Sequence, residues 1–400
     1  EGHHPMHAHL SPIYQTSTFS FPDVNTGASI FKREMPGFVY TRIDNPNQAQ
    51  LAEKIAVLEG IDLLRAQPGR PAGEIVNALV FSSGMAAITA GILARVKGGD
   101  TIIAQESLYG ATFNFLHDMA PLYGIKVVWL NDVSPEKWEE AFRANPHATL
   151  AYAESPSNPV LELVDLKAVA EIAHRYEAWL AVDNTFASPY GQRPLTLGAD
   201  IVMHSTTKYL SGHGQVVGGV VVSNHVDFIH NQVCAMLKIL GGVASPFDCW
   251  LAAIGLRTFE IRMERHGQNA MELARWLERR PEVERVYYPG LESFPGHALA
   301  RRQMLNYGGM ISFELKGGLE AGKALMDHVK TMTLAVSLGN VDTLIQHPAS
   351  MTHASVDRQT RLKTGVTDGL VRLSVGIENI QDLIADFEQA LEYVKETAVA

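Results

Sequence analysis

In A-D-I-V-M-H-S-T-T-K-Y-L an apolar run delivers Ser205, Thr206 and Thr207 and then Lys208. Hydroxyls grouped at the end of a buried strand can bind a phosphate. An ammonium beside them, lowered in pKa by partial burial, can form a Schiff base with an aldehyde. A second apolar run, W-L-A-V-D-N-T-F, ends in the carboxylate of Asp183. A buried carboxylate must meet a cation or take up a proton, and a protonated pyridine nitrogen is such a cation. Alternatively, Asp183 could cap a helix with Asn184 and Thr185. Lysine and aspartate on neighbouring strand ends are what pyridoxal 5'-phosphate needs: a covalent anchor, and an anion that keeps the ring electron-accepting.

A phosphate needs further donors. F-S-S-G-M-A-A places Ser83, Gly84 and Met85 where a strand turns into a helix. The exposed amides there attract an anion and glycine permits close approach, although an ordinary strand-to-helix turn would look the same. Tyr109, in S-L-Y-G-A-T-F, could stack on a ring or act as an acid, or simply pack. Arg372 interrupts the apolar run L-V-R-L-S-V, where a guanidinium must pair with a carboxylate of the protein or of a substrate. Tyr40 and Arg42, in F-V-Y-T-R-I-D-N-P, read by default as a surface pair. G-H-G-Q-V-V-G, from Gly212 to Gly218, has the wrong spacing for a dinucleotide loop and does not open a helix after a strand. No Walker loop or G-x-S-x-G elbow is present.

The elements that must position these residues follow from periodicity. Residues 1–53, rich in Pro, Thr, Ser and Asn, lack sustained helical periodicity and predict an extended arm reaching a partner subunit. A helix is expected over Gln48–Leu58, stopped by Gly60, followed by a Pro- and Gly-rich surface excursion, L-L-R-A-Q-P-G-R-P-A-G-E. Residues 54–245 then alternate apolar strands (A-L-V-F, D-T-I-I-A, K-V-V-W-L, T-L-A-Y-A, W-L-A-V, I-V-M-H, G-V-V-V-S) with helices. That pattern predicts an α/β domain with a mostly parallel seven-stranded sheet between helices. Residues 246–400 open with a long helical stretch broken near Gly255, and V-E-R-V-Y-Y, M-I-S-F-E-L and L-V-R-L-S-V then alternate with helices. A smaller C-terminal α+β domain is expected.

A net charge of −10 argues against nucleic acid as a partner. Only Cys234 and Cys249 occur, so no disulfide framework is expected, in keeping with a reducing cytoplasm. No apolar run approaches the length of a membrane span, and no charged-then-apolar leader opens the sequence. His3, His4, His7 and His9 could ligate a metal, but a polar terminus is the expected reading and no metal site is predicted.

Taken together, these motifs resemble the Cys/Met-metabolism family of pyridoxal-phosphate enzymes, from P-I-Y-Q-T-S-T-F to L-V-R-L-S-V-G-I-E, with the block D-N-T-F through H-S-T-T-K-Y-L-S-G-H-G the most specific part. The resemblance implies fold type I, the aspartate aminotransferase-like fold. It implies Lys208 as covalent anchor and proton carrier, Asp183 against the pyridine nitrogen, and Tyr109 on the ring and at the leaving group. Gly84, Met85, Ser205 and Thr207 would hold the phosphate, joined by Tyr40 and Arg42 of the neighbouring subunit in a tetramer built from two dimers. Asn158 would support the phenolic oxygen, and Arg372 with Ser337 would clamp the substrate carboxylate. Val336 stands where cystathionine-handling members commonly carry a glutamate, and so resembles methionine γ-lyase. Ala111 departs from that pattern, which has cysteine there, as do the long segment I-D-L-L-R-A-Q-P-G-R-P-A-G-E-I-V and Gln215. The expected reaction is α,γ-elimination on a sulfur amino acid such as L-methionine. The alternatives are γ-replacement on an O-acylhomoserine and cleavage of cystathionine.

Overall fold

The seven apolar runs expected as strands form strands to within one residue: β1 (Asn77–Phe81), β2 (Thr101–Gln105), β3 (Lys126–Leu130), β4 (Leu150–Glu154), β5 (Trp179–Asp183), β6 (Ile201–Ser205) and β7 (Gly219–Ser223). The computed structural model describes residues 7–352, 354, 357–363 and 365–397; His3, His4 and His353 lie outside them. The strands make one sheet in the order β1-β7-β6-β5-β4-β2-β3, parallel except for β7.

Both faces are dry, which is why the runs are continuously apolar. Ile103, Ala151, Leu180, Val182 and Val202 pack with Leu51, Ile55, Trp138 and Phe142 on one side. Their neighbours Ile102, Leu150, Ala181, Ile201 and Met203 pack with Ile88, Ile92 and Phe115 on the other. The period-two alternation of a strand thus serves two cores at once.

Helices α1 (Val24–Phe31), α2 (Pro46–Glu59), α3 (Ile61–Ala66) and α4 (Gly84–Arg95) precede or flank the early strands. One expectation needs correction. The N-terminal arm is not extended throughout, because Asp23 caps α1 by accepting from Thr26 N–H. The surface excursion begins with helix α3, none of whose residues is buried, and the stretch after it, around Gln67–Pro71, is exposed irregular chain. In α2, Asn45 caps the helix and Pro46 opens it, a pairing in which the missing proline N–H leaves no bond unmade.

The second sheet has the order β10-β11-β12-β9-β8, from β8 (Val283–Tyr287), β9 (Met310–Leu315), β10 (Thr333–Leu334), β11 (Leu344–Gln346) and β12 (Leu370–Ser374). Ile311, Phe313, Val371 and Leu373 pack with Leu325 and Phe387 from helices Gly318–His328 and Ile380–Thr397. Arg372 lies in β12 between Ser312 of β9 and Gln346 of β11. Among the described residues no helix is long and apolar enough to cross a membrane, and no group of three or more His, Cys, Asp or Glu could hold a metal.

Candidate active site

Gln105, Glu154, Asp183 and Ser205 are the last residues of β2, β4, β5 and β6, so four polar side chains gather at the carboxyl edge of the parallel sheet. Ligands of open α/β sheets bind at that edge. Asp183 Oδ1 accepts from Thr185 N–H at 3.0 Å, and Thr185 Oγ1 accepts from Ser205 N–H at 2.9 Å. Thr185 therefore ties the carboxylate to the hydroxyl cluster. The cap reading of Asp183 holds only in part: it accepts the Thr185 amide, but the next helix starts at Ser188. Burial pushes the Asp183 carboxyl above the usual carboxylate range, opposed by its Thr185 hydrogen bonds and by His204. A cation placed there would bring it back down.

Against Ser205, α4 begins. Ser83 Oγ accepts from Ala86 N–H at 3.0 Å, while the first amides of any helix have no partner within it. Gly84 faces Ser205 so closely that a Cβ on it would lie 2.8 Å from Ser205 Cβ. Gly219, between Phe81 and Ser205 in the register, would with a Cβ come within 2.2 Å of the Ser83 carbonyl oxygen. Two missing side chains thus let the helix start settle on the strand end. Thr207 Oγ1 accepts from Gly218 N–H at 3.0 Å. Met85, in the first turn of α4, has its sulfur 3.6 Å from Thr112 Oγ1.

Lys208 Nζ donates to Ser337 Oγ at 2.7 Å. Burial, with a smaller push from Arg372, brings the amine down to about 8. Ser337 has φ 95°, a conformation that L-residues other than glycine seldom adopt and that costs about 1–3 kcal/mol. In it, the side chain meets Lys208 while the carbonyl accepts from Arg372 Nη2 at 2.9 Å. Arg372 Nη1 donates to Asn158 Oδ1 at 3.1 Å. The guanidinium is buried, and burial pulls it down to about 10. Among the described residues it forms no ion pair. A buried guanidinium without a carboxylate is a place for one.

Tyr109 is 49% exposed, and its ring is free to meet a ligand. Its backbone N–H donates to Glu154 Oε2 at 2.8 Å, and its hydroxyl is near enough to influence Arg372 electrostatically. Val336, 55% exposed, lines an open cleft of about 610 Å³ with Thr207, Gln215, Val217 and Ser337. Tyr40 and Arg42 pair with each other, the guanidinium 5.6 Å from the ring centre, and Arg42 also donates to the Lys238 carbonyl. Within one chain neither is hydrogen-bonded to the Gly84–Ser205 cluster.

Glu154, which the sequence motifs do not single out, and Thr185, legible there only as part of a cap, join this network. The available signal for Glu154 was a carboxylate directly after the apolar strand T-L-A-Y-A.

The residues fit pyridoxal phosphate on two observations: a partly buried amine lowered to about 8, and a buried carboxyl tied through Thr185 to Ser205, against which the glycine at a helix start is packed. The chain is a pyridoxal-phosphate-dependent enzyme of fold type I. It belongs to the family described as "Cys/Met metabolism PLP-dependent enzyme", which it matches over residues 1–392. It is 48% identical to the L-methionine gamma-lyase of Porphyromonas gingivalis, over 96% of this chain and 92% of the relative. It is 46% identical to that of Fusobacterium nucleatum subsp. polymorphum, over 96% of this chain and 93% of the relative. Among solved structures it is similar to cystathionine gamma synthase from Xanthomonas oryzae pv. oryzae in complex with aminoacrylate and cysteine, with a TM-score of 0.89 and 38% identity, covering 98% of this chain and 95% of that one.

Proposed function

We propose that this enzyme catalyses α,γ-elimination on L-methionine or a close sulfur amino acid, consuming water and releasing 2-oxobutanoate, ammonia and a thiol. The observation that carries the reading is Val336, an apolar side chain beside Ser337 at the cleft. It offers no partner to a distal ammonium or carboxylate and suits a thioether. Similarity to two L-methionine gamma-lyases supports it.

In this reading Arg372 and Ser337 hold the substrate's α-carboxylate. Pyridoxal phosphate, when bound, supplies an electron-accepting ring that stabilises negative charge at the substrate's α-carbon. Asp183 would keep the ring nitrogen protonated, and Gly84, Met85, Ser205 and Thr207 would hold the phosphate, with Asn158 supporting the phenolic oxygen. Lys208 would anchor the group covalently, and its amine is placed to take the proton from the substrate's Cα. An amine lowered to about 8 is partly neutral near neutral pH and can both accept and return that proton. Tyr109 would stack on the ring, and its hydroxyl would give a proton to the departing sulfur.

The proposal extends to assembly and place. Tyr40 and Arg42 complete the phosphate site of a neighbouring subunit, in cytoplasmic homotetramers of two such dimers. What supports this is that both residues pair with each other rather than with their own chain's cluster.

Purified enzyme given methionine is expected to release 2-oxobutanoate and methanethiol. Silence there, with rapid turnover of O-acetylhomoserine and sulfide, would favour γ-replacement, the second reading. Ala111, which departs from the lyase pattern, is the observation on that side.

A further inference from the structure

Glu154 is buried at 3% exposure and ends β4, in register with Asp183 of β5. Each of its carboxylate oxygens accepts one backbone amide: Oε2 from Tyr109 at 2.8 Å and Oε1 from Asn158 at 3.0 Å. The two amides belong to different loops, one after β2 and one after β4. Gln105 adds a second tie between the same loops. Its Oε1 accepts from Glu154 N–H at 3.0 Å, and its Nε2 donates to the carbonyls of Ser107 at 2.8 Å and Glu154 at 3.1 Å. Asn158 passes the connection on, accepting from Arg372 Nη1 at 3.1 Å.

The choice of a carboxylate here is informative. Burying one beside Asp183 is unfavourable: burial and the Asp183 charge push the Glu154 carboxyl well above its usual range, against the two amides and Arg372. A glutamine of the same shape would avoid that charge, but its NH2 group would confront one of the two amide donors. Both oxygens of a carboxyl group keep lone pairs that can accept, so it takes one amide from each loop where a carboxamide cannot.

We propose that Glu154 is a positioning residue, whose two oxygens fix the spacing between the Tyr109 and Asn158 loops and so aim the tyrosine ring and the asparagine amide at the bound cofactor. This rests on the roles assigned to Tyr109 and Asn158 above.

The test is a mutant cycle of Glu154→Gln and Tyr109→Ala on the cofactor-loaded enzyme. Glu154→Gln is expected to lower kcat by about 10- to 100-fold with a much smaller change in KM, the loss that a misplaced group produces. In the Tyr109→Ala background, where there is no ring left to aim, the same change is expected to lower kcat several-fold less. Hydrogen exchange should quicken in Glu154→Gln over peptides spanning residues 106–113 and 155–160, and the visible circular dichroism of the cofactor should shift.

Effects that multiply in the cycle, or unchanged exchange in both peptides, would overturn the proposal while leaving the role of Tyr109 standing. A fully active Tyr109→Ala would instead overturn that role, and this inference with it. Should Glu154→Gln fail to fold, Glu154→Asp, which keeps both acceptors one methylene further back, takes its place in the cycle with the same outcomes.

Discussion

Lys208 and Ser337 meet at a hydrogen bond of 2.7 Å that joins the end of the large sheet to the segment between β10 and β11 of the small one. One strained serine thereby holds the amine with its hydroxyl and the buried guanidinium of Arg372 with its carbonyl. The two groups assigned to the substrate's acidic ends, Cα–H and carboxylate, are set relative to each other by a single residue.

The lowered amine makes stability depend on pH. With Lys208 brought from 10.5 to about 8, the unfolded chain holds a proton that the folded one has released between those values. Cofactor-free protein should therefore gain stability as pH rises through that window, relative to a Lys208→Met variant that has no such proton. Urea unfolding of both at pH 7.5, 8.5 and 9.5 measures the difference. Parallel curves would remove the lowered amine from the account.

Asp183 and Glu154 are two buried carboxyls in register. Asp183→Asn removes one charge and keeps an oxygen for the Thr185 amide. Without cofactor the variant should melt no lower than the parent, because relieving an uncompensated buried charge is neutral or favourable. Its affinity for pyridoxal phosphate should fall by about 10- to 100-fold, the equivalent of one charge-assisted contact. Thermal melts and fluorescence titration read the two effects separately.

Gly84→Ala places a methyl group 2.8 Å from Ser205 Cβ. Overpacking of this kind costs about 1–3 kcal/mol and should lift the helix start off the strand end, weakening cofactor retention. Dialysis followed by a cofactor assay decides; a variant that keeps its cofactor as the parent does would place the phosphate away from this helix start.

Val336→Glu puts a carboxylate at the cleft next to Ser337. Methionine turnover, as kcat/KM, should fall by about tenfold or more, with cystathionine cleavage rising against it, because the new charge lacks a partner on a thioether and finds one on a distal ammonium. Competition between the two substrates measures the ratio directly.

If Arg42 serves a partner's site, Arg42→Ala and Lys208→Ala protomers should each be weak or inactive alone yet complement when mixed. A dimer with one of each keeps one intact site, so random exchange should restore roughly a quarter of the parent activity. No recovery after exchange proven by native mass spectrometry would count against the shared site.

The large sheet was legible because its strands are buried on both faces, which turns each into an unbroken apolar run. Where burial is one-sided or the element short, the signal faded. The helix Val24–Phe31, the two-residue β10 and the three-residue β11 carry no clear periodicity, and the proline and glycine after α3 mark its segment as a surface excursion without revealing the helix. In the site, Lys208 and Asp183 stood out as charges after apolar runs. Glu154 did the same, but its partners are backbone amides, which carry no residue letter to find. Thr185 was visible only as part of a possible cap, since its hydroxyl works on an amide one strand away.

Asp183 and Ser205 close adjacent strands whose residues alternate between two apolar faces. Deleting a single residue from the middle of β5 or β6 would turn the terminal side chain through the sheet to the opposite core. Such a chain still has apolar surroundings for its valines and isoleucines on either face, but the carboxylate and hydroxyl would look out of the wrong window. Length within these two strands is thus under tighter constraint than composition, whereas the exposed stretch after α3 is where extra residues can be absorbed.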